Sequence, residues 1–412
     1  MPDLPSIIPE TLVFPEKTLS GRGKLSSLFE ECRRFGSRGL ILHGAALEQK
    51  WRLAALLASA SPDMSIRTVR HQGGEPTLKQ VSDLIQIVRG HDACWIAGIG
   101  GGSIMDLAKA AAVLAHAPCP PAHYHNGAII PERGLAFIAV PTTAGTGAEA
   151  TLNSVLTNEL TGTKKSIRAA GMMARVVILD STLLAACPQP VIAASGMDAL
   201  TQAIEAFTSR NATWLSDALA LKAAGLIARH LEPVYQTPDS PNAEPLLIGS
   251  YLAGVALSFS RLGLVHGMAH PLGSLYHLPH GVVCAACLPH AVELNREAFG
   301  AKYGQLGSAI GGDLLETIRS LISRLAMKSP FIGKPVRDAE LIIQETLSSG
   351  STKANPKPIT RKDVEWMLER LFSSKGAFKS GAGYDQEFHS DEPPAVCLSN
   401  RVHRRITVAK RV

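Results

Sequence analysis

Four of the chain's 14 histidines fall within residues 266–280, and two of them, His266 and His270, are four residues apart in a stretch of helical pattern. Asp198 and Gln202 share the same spacing in another apolar stretch, and His280 follows Pro279 at the start of a third. A carboxylate and imidazoles projecting from separate helices are how helical cores build divalent metal sites, and three protein donors with an open position suit a Lewis acid. Any one of these histidines taken alone reads more simply as a hydrogen-bonded core or surface residue. The clustering is what points to a metal.

A second group of residues points to a phosphate. Residues 98–103, Gly-Ile-Gly-Gly-Gly-Ser, follow an apolar run and lead into a helical pattern over 104–115. In that context, glycines let backbone N–H groups at a helix N-terminus approach an anion that side chains would block. The spacing is not the GxGxxG of a standard Rossmann fingerprint, and a ligand-free tight turn is the plainer alternative. Residues 141–151, rich in Thr, Gly and Ala, form a loop that could wrap a polar ligand or be an ordinary hydroxyl-rich connection. Cys284 and Cys287 form a CxxC in an apolar segment and read as helix packing.

These residues need elements to hold them. Apolar runs at 40–42, 93–97, 136–140 and 176–179 read as buried strands, with a helical pattern at 78–88 between the first two. Alternating strand and helix implies a parallel sheet covered on both faces, hence an α/β dinucleotide-binding domain over residues 1–189. Beyond the Cys187-Pro188-Gln189-Pro190 breaker, Ala/Leu-rich stretches at 191–209, 214–230, 246–258 and 313–325 predict an all-α domain over 190–372. Thr360 with Asp363 three residues on predicts an N-capped last helix. Residues 373–412 lose all apolar periodicity and are expected to be a disordered, dispensable basic extension carrying +3 of the chain's +6.

Composition narrows the class. With 412 residues, 46% hydrophobic and 18% charged, the chain can bury more than one core. A net charge of +6 is too mild to argue for a nucleic-acid or membrane-surface partner. The first 30 residues show no basic start followed by an apolar run, so no secretory signal is expected. The apolar stretch 246–259 is shorter than a bilayer span and reads as a core helix. Seven thinly spread cysteines suit a reducing, cytoplasmic compartment.

Four ordered blocks then carry a resemblance: residues 100–109, 141–151, 196–205 and 266–281. With the Asn355-Pro356 terminal helix they make the chain similar, over about residues 8–372, to the iron-containing (group III) alcohol dehydrogenases. The resemblance implies a dehydroquinate synthase-like architecture, with a cleft holding a divalent metal, Fe²⁺ or Zn²⁺, beside the nicotinamide of NAD or NADP. By position, Gly100, Gly101, Gly102 and Ser103 would hold the pyrophosphate, Thr142, Thr143 and Thr146 would line the cofactor, and Lys165 would reach its ribose. Asp198, Gln202, His266 and His280 match the metal-ligand positions, and His270 matches the histidine beside the reacting carbon. The substrate implied is a small alcohol or aldehyde, with Phe259, Leu262 and Tyr276 as apolar neighbours, and the assembly implied is a homodimer.

Two departures from the family pattern stand out. The fourth ligand is usually His, and here it is Gln202, a weaker and harder donor. Where NAD-preferring members often place Asp after the second strand, this chain has Gly44, so a 2′-phosphate is not repelled and NADP is permitted. Lys50 and Arg52 are the nearby cations that could meet it. The Gln also keeps open a metal-independent reductase of the maleylacetate reductase type. A fold-retaining, non-enzymatic oligomer is the reading from another class.

Overall fold

The computed structural model describes residues 8–48 and 52–373. Lys50 and the extension after Ser373 lie outside them. Six parallel strands form one sheet in the order β1-β8-β5-β4-β2-β3: β1 Lys17–Ser20, β2 Arg38–His43, β3 Ser65–Arg70, β4 Trp95–Gly100, β5 Ala136–Pro141 and β8 Val176–Leu179. The four expected strands are β2, β4, β5 and β8, and each is apolar because helices cover both of its faces. A two-stranded antiparallel ribbon, β6 Asn153–Asn158 and β7 Thr163–Arg168, follows β5.

After β8 no further strand occurs among the described residues. Pro188 and Pro190 do not merely break the chain; they start the helix Gln189–Thr208, where a proline in the first turn costs no hydrogen bond. That helix packs against Trp214–Gln236, Ala243–Ser260 and His280–Phe299, and the last of these packs against Leu264–Tyr276. Ala243–Ser260 is long and apolar enough to cross a membrane by composition, but its Leu246, Leu247, Ala253 and Ala256 are buried in the core. Thr360 caps the final helix, Arg361–Phe372, in a reciprocal capping box with Asp363.

Two close backbone approaches join the sheet to the helices. A Cβ on Gly147, which has φ +60°, would lie 2.4 Å from Gly254 Cα. A Cβ on Gly145 would lie 2.6 Å from Ser195 Cβ. The Thr/Gly loop after β5 is therefore seated directly on two helices.

Candidate active site

The glycine turn leaves the carboxyl end of β4, and the Thr/Gly loop leaves that of its neighbour β5. Such adjacent carboxyl ends are where open parallel sheets bind ligands. Gly101 is the N-cap of the helix Gly102–Leu114 and offers no capping side chain, so the first N–H groups of the helix remain available to an anion. Thr142 N–H donates to Gly100 carbonyl at 2.9 Å, locking the two turns together. A Cβ on Gly102 would stand 2.8 Å from Thr146 Cγ2, and one on Gly101 3.3 Å from Thr143 Oγ1. Gly100, Gly101, Gly102, Ser103, Thr142, Thr143 and Thr146 thus come together as one small-residue cradle.

Two residues given no role by the sequence pattern hold that cradle in shape. Lys109 is fully buried; its ammonium donates to the carbonyls of Ala148, Thr151 (3.0 Å) and Asn153 (3.0 Å) and to Thr151 Oγ1 (3.1 Å). Burial lowers its pKa to about 8, which leaves it charged at neutral pH. Asp106, one turn earlier, accepts from Val155 N–H at 3.2 Å. Both signals lay within the resembling block 100–109.

Lys165 is exposed on β7, and strand alternation puts it on the opposite face from Lys164. The charge that bears on His270 and His280 is that of Lys164, which also pairs with Glu75 at 2.6 Å. Gly44 follows β2 with no carboxylate at that position, and Glu48 nearby is paired with Arg70 at 3.0 Å. Arg52 begins the helix Arg52–Ala58.

The second cluster is built by three helices. Asp198 and Gln202 project from Gln189–Thr208, His266 and His270 from Leu264–Tyr276, and His280 from the first position of His280–Phe299. Gly281 is what lets the third helix reach the first, because a Cβ there would sit 2.1 Å from Ala194 carbonyl oxygen. Asp198 Oδ1 lies 3.3 Å from His266 Nε2 and 3.7 Å from His280 Nε2. The rings of His266 and His270 each lie 5.4 Å from that of His280. His277, the fourth histidine of the sequence cluster, instead ends its helix in a left-handed conformation and is exposed.

Glu205, two turns after Asp198, sets the orientation. Its Oε2 accepts from His266 Nδ1 at 2.6 Å and its Oε1 from Val265 N–H at 2.7 Å. A carboxylate can only accept, so Nδ1 carries hydrogen and Nε2 faces Asp198. The start of that helix is fixed again by Asn355, whose Oδ1 accepts from Leu264 N–H at 3.2 Å.

The donor chemistry fits a divalent cation. Asp198 Oδ1, His266 Nε2 and Gln202 Oε1 are buried without a hydrogen-bond partner, an arrangement that is costly unless something else is bound. Ligand atoms of Asp198, His266, His280 and Cys284 all lie within 4.8 Å of one another. Burial opposes the charge on Asp198, yet His280 and His266 hold its pKa below the carboxylate range. Burial likewise opposes charge on His266, but Asp198 and Glu205 outweigh it and push its pKa up to about 10. His270 has an accessible ring facing the cleft; crowding and the charges of His280, His266 and Lys164 push its pKa down.

Two expectations about the surroundings change. Tyr276 does not line the cleft: its hydroxyl donates to Pro335 carbonyl at 2.9 Å and its ring packs with Phe331 and Phe372. Phe259 packs edge-on against Phe14. Cys287 is core packing as expected, whereas Cys284 Sγ belongs to the donor cluster.

A glycine cradle at the end of a parallel sheet and a carboxylate–histidine cluster in a helical bundle are the two sites that a nucleotide-dependent, metal-assisted oxidoreductase needs. The Iron-containing alcohol dehydrogenase family model matches residues 15–181, and the Fe-containing alcohol dehydrogenase C-terminal model matches 192–372. The chain belongs to the iron-containing alcohol dehydrogenase family. Among curated relatives, long-chain-alcohol dehydrogenase 1 of Geobacillus thermodenitrificans is 34% identical, over 88% of this chain and 96% of its own. Lactaldehyde reductase of Escherichia coli is 31% identical, over 86% and 97%. The solved structure of sulfoacetaldehyde reductase from Bifidobacterium kashiwanohense in complex with NAD⁺ is similar, with a TM-score of 0.83 at 26% identity, covering 88% of this chain and 99% of that one.

Proposed function

We propose that the protein is a metal-dependent alcohol dehydrogenase and aldehyde reductase that moves a hydride between NAD or NADP and a small alcohol or aldehyde. The observation that carries this reading is the convergence of Asp198 Oδ1, His266 Nε2 and His280 Nε2 from three helices, the first two with no hydrogen-bond partner. When bound, the divalent cation, Fe²⁺ or Zn²⁺, supplies Lewis acidity at the alcohol oxygen, and the nicotinamide supplies the carbon that exchanges hydride.

The chain's residues do the rest. Asp198, His266 and His280 hold the cation with Gln202 alongside, and Glu205 keeps His266 turned toward it. The N-terminus of Gly102–Leu114 and the 100–103 backbone take the cofactor pyrophosphate, and Thr142, Thr143 and Thr146 enclose it. Lys164, rather than Lys165, meets the ribose. His270, neutral at physiological pH and open to the cleft, accepts the substrate hydroxyl proton at its ring nitrogen and passes it to solvent, or returns it in the aldehyde direction. Residues 1–189 and 190–372 serve as cofactor-binding and metal-binding domains. A homodimer and a cytoplasmic setting complete the reading, the first by family and the second by cysteine usage.

The test is metal analysis with an alcohol and aldehyde panel run on both NAD and NADP. Activity abolished by chelation and restored by Fe²⁺ or Zn²⁺ supports the proposal. Activity that survives full metal removal moves the assignment to the metal-independent reductase type.

A further inference from the structure

Gln202 is engaged through its amide nitrogen, while its Oε1 has no hydrogen-bond partner. Gln202 Nε2 donates to Asp198 Oδ2 at 3.1 Å. That bond uses the Asp198 oxygen other than the one that meets His266 and His280. Cys284, in contrast, sits one helical turn after His280, on the same face of the same helix, and is fully buried. Its Sγ falls in the mutually close group with Asp198, His266 and His280.

Resting on the metal-dependent reading above, we propose that Cys284 is a further protein donor, as a thiolate, beside Asp198, His266 and His280. Bonds of about 2.0 Å to nitrogen and 2.3 Å to sulfur put neighbouring donors roughly 3.3–3.5 Å apart, in a shell that expands to five to keep a position for the substrate oxygen. The 3.3 Å between Asp198 and His266 matches, the 3.7 Å to His280 is a few tenths of an ångström wide, and every pair in the group lies within 4.8 Å. On binding, the Cys284 S–H bond gives its proton to water and the sulfur lone pair bonds the cation, with no change of oxidation state. The thiolate adds a second negative charge to that of Asp198 and makes the site softer, suited to Zn²⁺ or Co²⁺.

The experiment uses the full chain, stripped of metal and titrated anaerobically with Co²⁺ while absorbance is recorded. The wild type should develop a near-ultraviolet thiolate-to-cobalt charge-transfer band together with visible ligand-field bands. Cys284→Ser should lose the near-ultraviolet band and bind Co²⁺ more weakly by more than the roughly 10–100-fold that loss of an outer partner costs. Gln202→Ala and Cys287→Ser should keep the band. Visible bands without a thiolate band in the wild type, or an unchanged spectrum in Cys284→Ser, would overturn the assignment while leaving the metal-dependent reading intact. No Co²⁺ binding at all would overturn both. Where Cys284→Ser fails to fold, X-ray absorption of the wild-type Co²⁺ protein decides: a sulfur neighbour at about 2.3 Å supports the proposal, and a shell of nitrogen and oxygen alone refutes it.

Discussion

Glu205 and His266 share a 2.6 Å hydrogen bond buried between two helices, and that bond aims the far imidazole nitrogen at Asp198. Because the same carboxylate also accepts the Val265 N–H, it fixes both the ring and the turn of backbone that carries it.

Replacing Glu205 by Gln keeps the shape but sets an amide NH2 donor against one of the two N–H donors and leaves a neutral acceptor for the other. Metal affinity should fall by roughly 10–100-fold, as measured by competition with a calibrated chelator, with little change in the circular dichroism of the folded protein. Unchanged affinity would mean that the ring is held by packing alone.

His270 should matter to the proton and not to the fold. His270→Ala is expected to lower kcat by about 10²-fold, and added imidazole should restore part of it. Since desolvation by the protein around its accessible ring, together with neighbouring positive charge, keeps His270 neutral, the loss should extend across pH 6–9. Turnover that is indifferent to the substitution would remove the residue from the proton path.

Gly281 sits where two helix backbones meet. A methyl group there has only the Ala194 carbonyl to push against, 2.1 Å away, so Gly281→Ala should cost about 1–3 kcal/mol in urea unfolding. The shift that relieves the clash carries His280 away from Asp198, so metal affinity should fall with stability. A variant with wild-type stability and affinity would show that the helices part without moving the site.

Glu149 gives a pH signature independent of the metal cluster. It is buried with Oε1 unpartnered, and burial raises its pKa to about 7. A carboxyl with a raised folded pKa contributes stability that is fully present below the unfolded value, near 4.5, and is lost as pH rises through about 7. The melting temperature should therefore decline between about pH 5 and 8, and Glu149→Gln should flatten that decline. Asp106, raised by burial to about 6, will leave part of the slope. An identical pH profile in Glu149→Gln would refute the assignment.

How much of this could be read from the sequence depended on how local each signal is. β2, β4, β5 and β8 are covered on both faces and write themselves as apolar runs. β1 and β3 close the two edges of the sheet, and their exposed, mixed residues hide them among loops. Asp198, His266 and His280 were legible because helical spacing and clustering are sequence properties. Glu205 acts through a helix crossing that only the fold supplies. Lys164 and Lys165 differ by one step of strand alternation, and one step reverses the face.

The backbone seam between Gly147 and Gly254 has a mechanical consequence. With no side chain between the two backbones, there is no soft layer there to slide or compress. A side chain at either position would part the loop from the helix, so the spacing between the cofactor cradle's loop and Ala243–Ser260 is set at this seam.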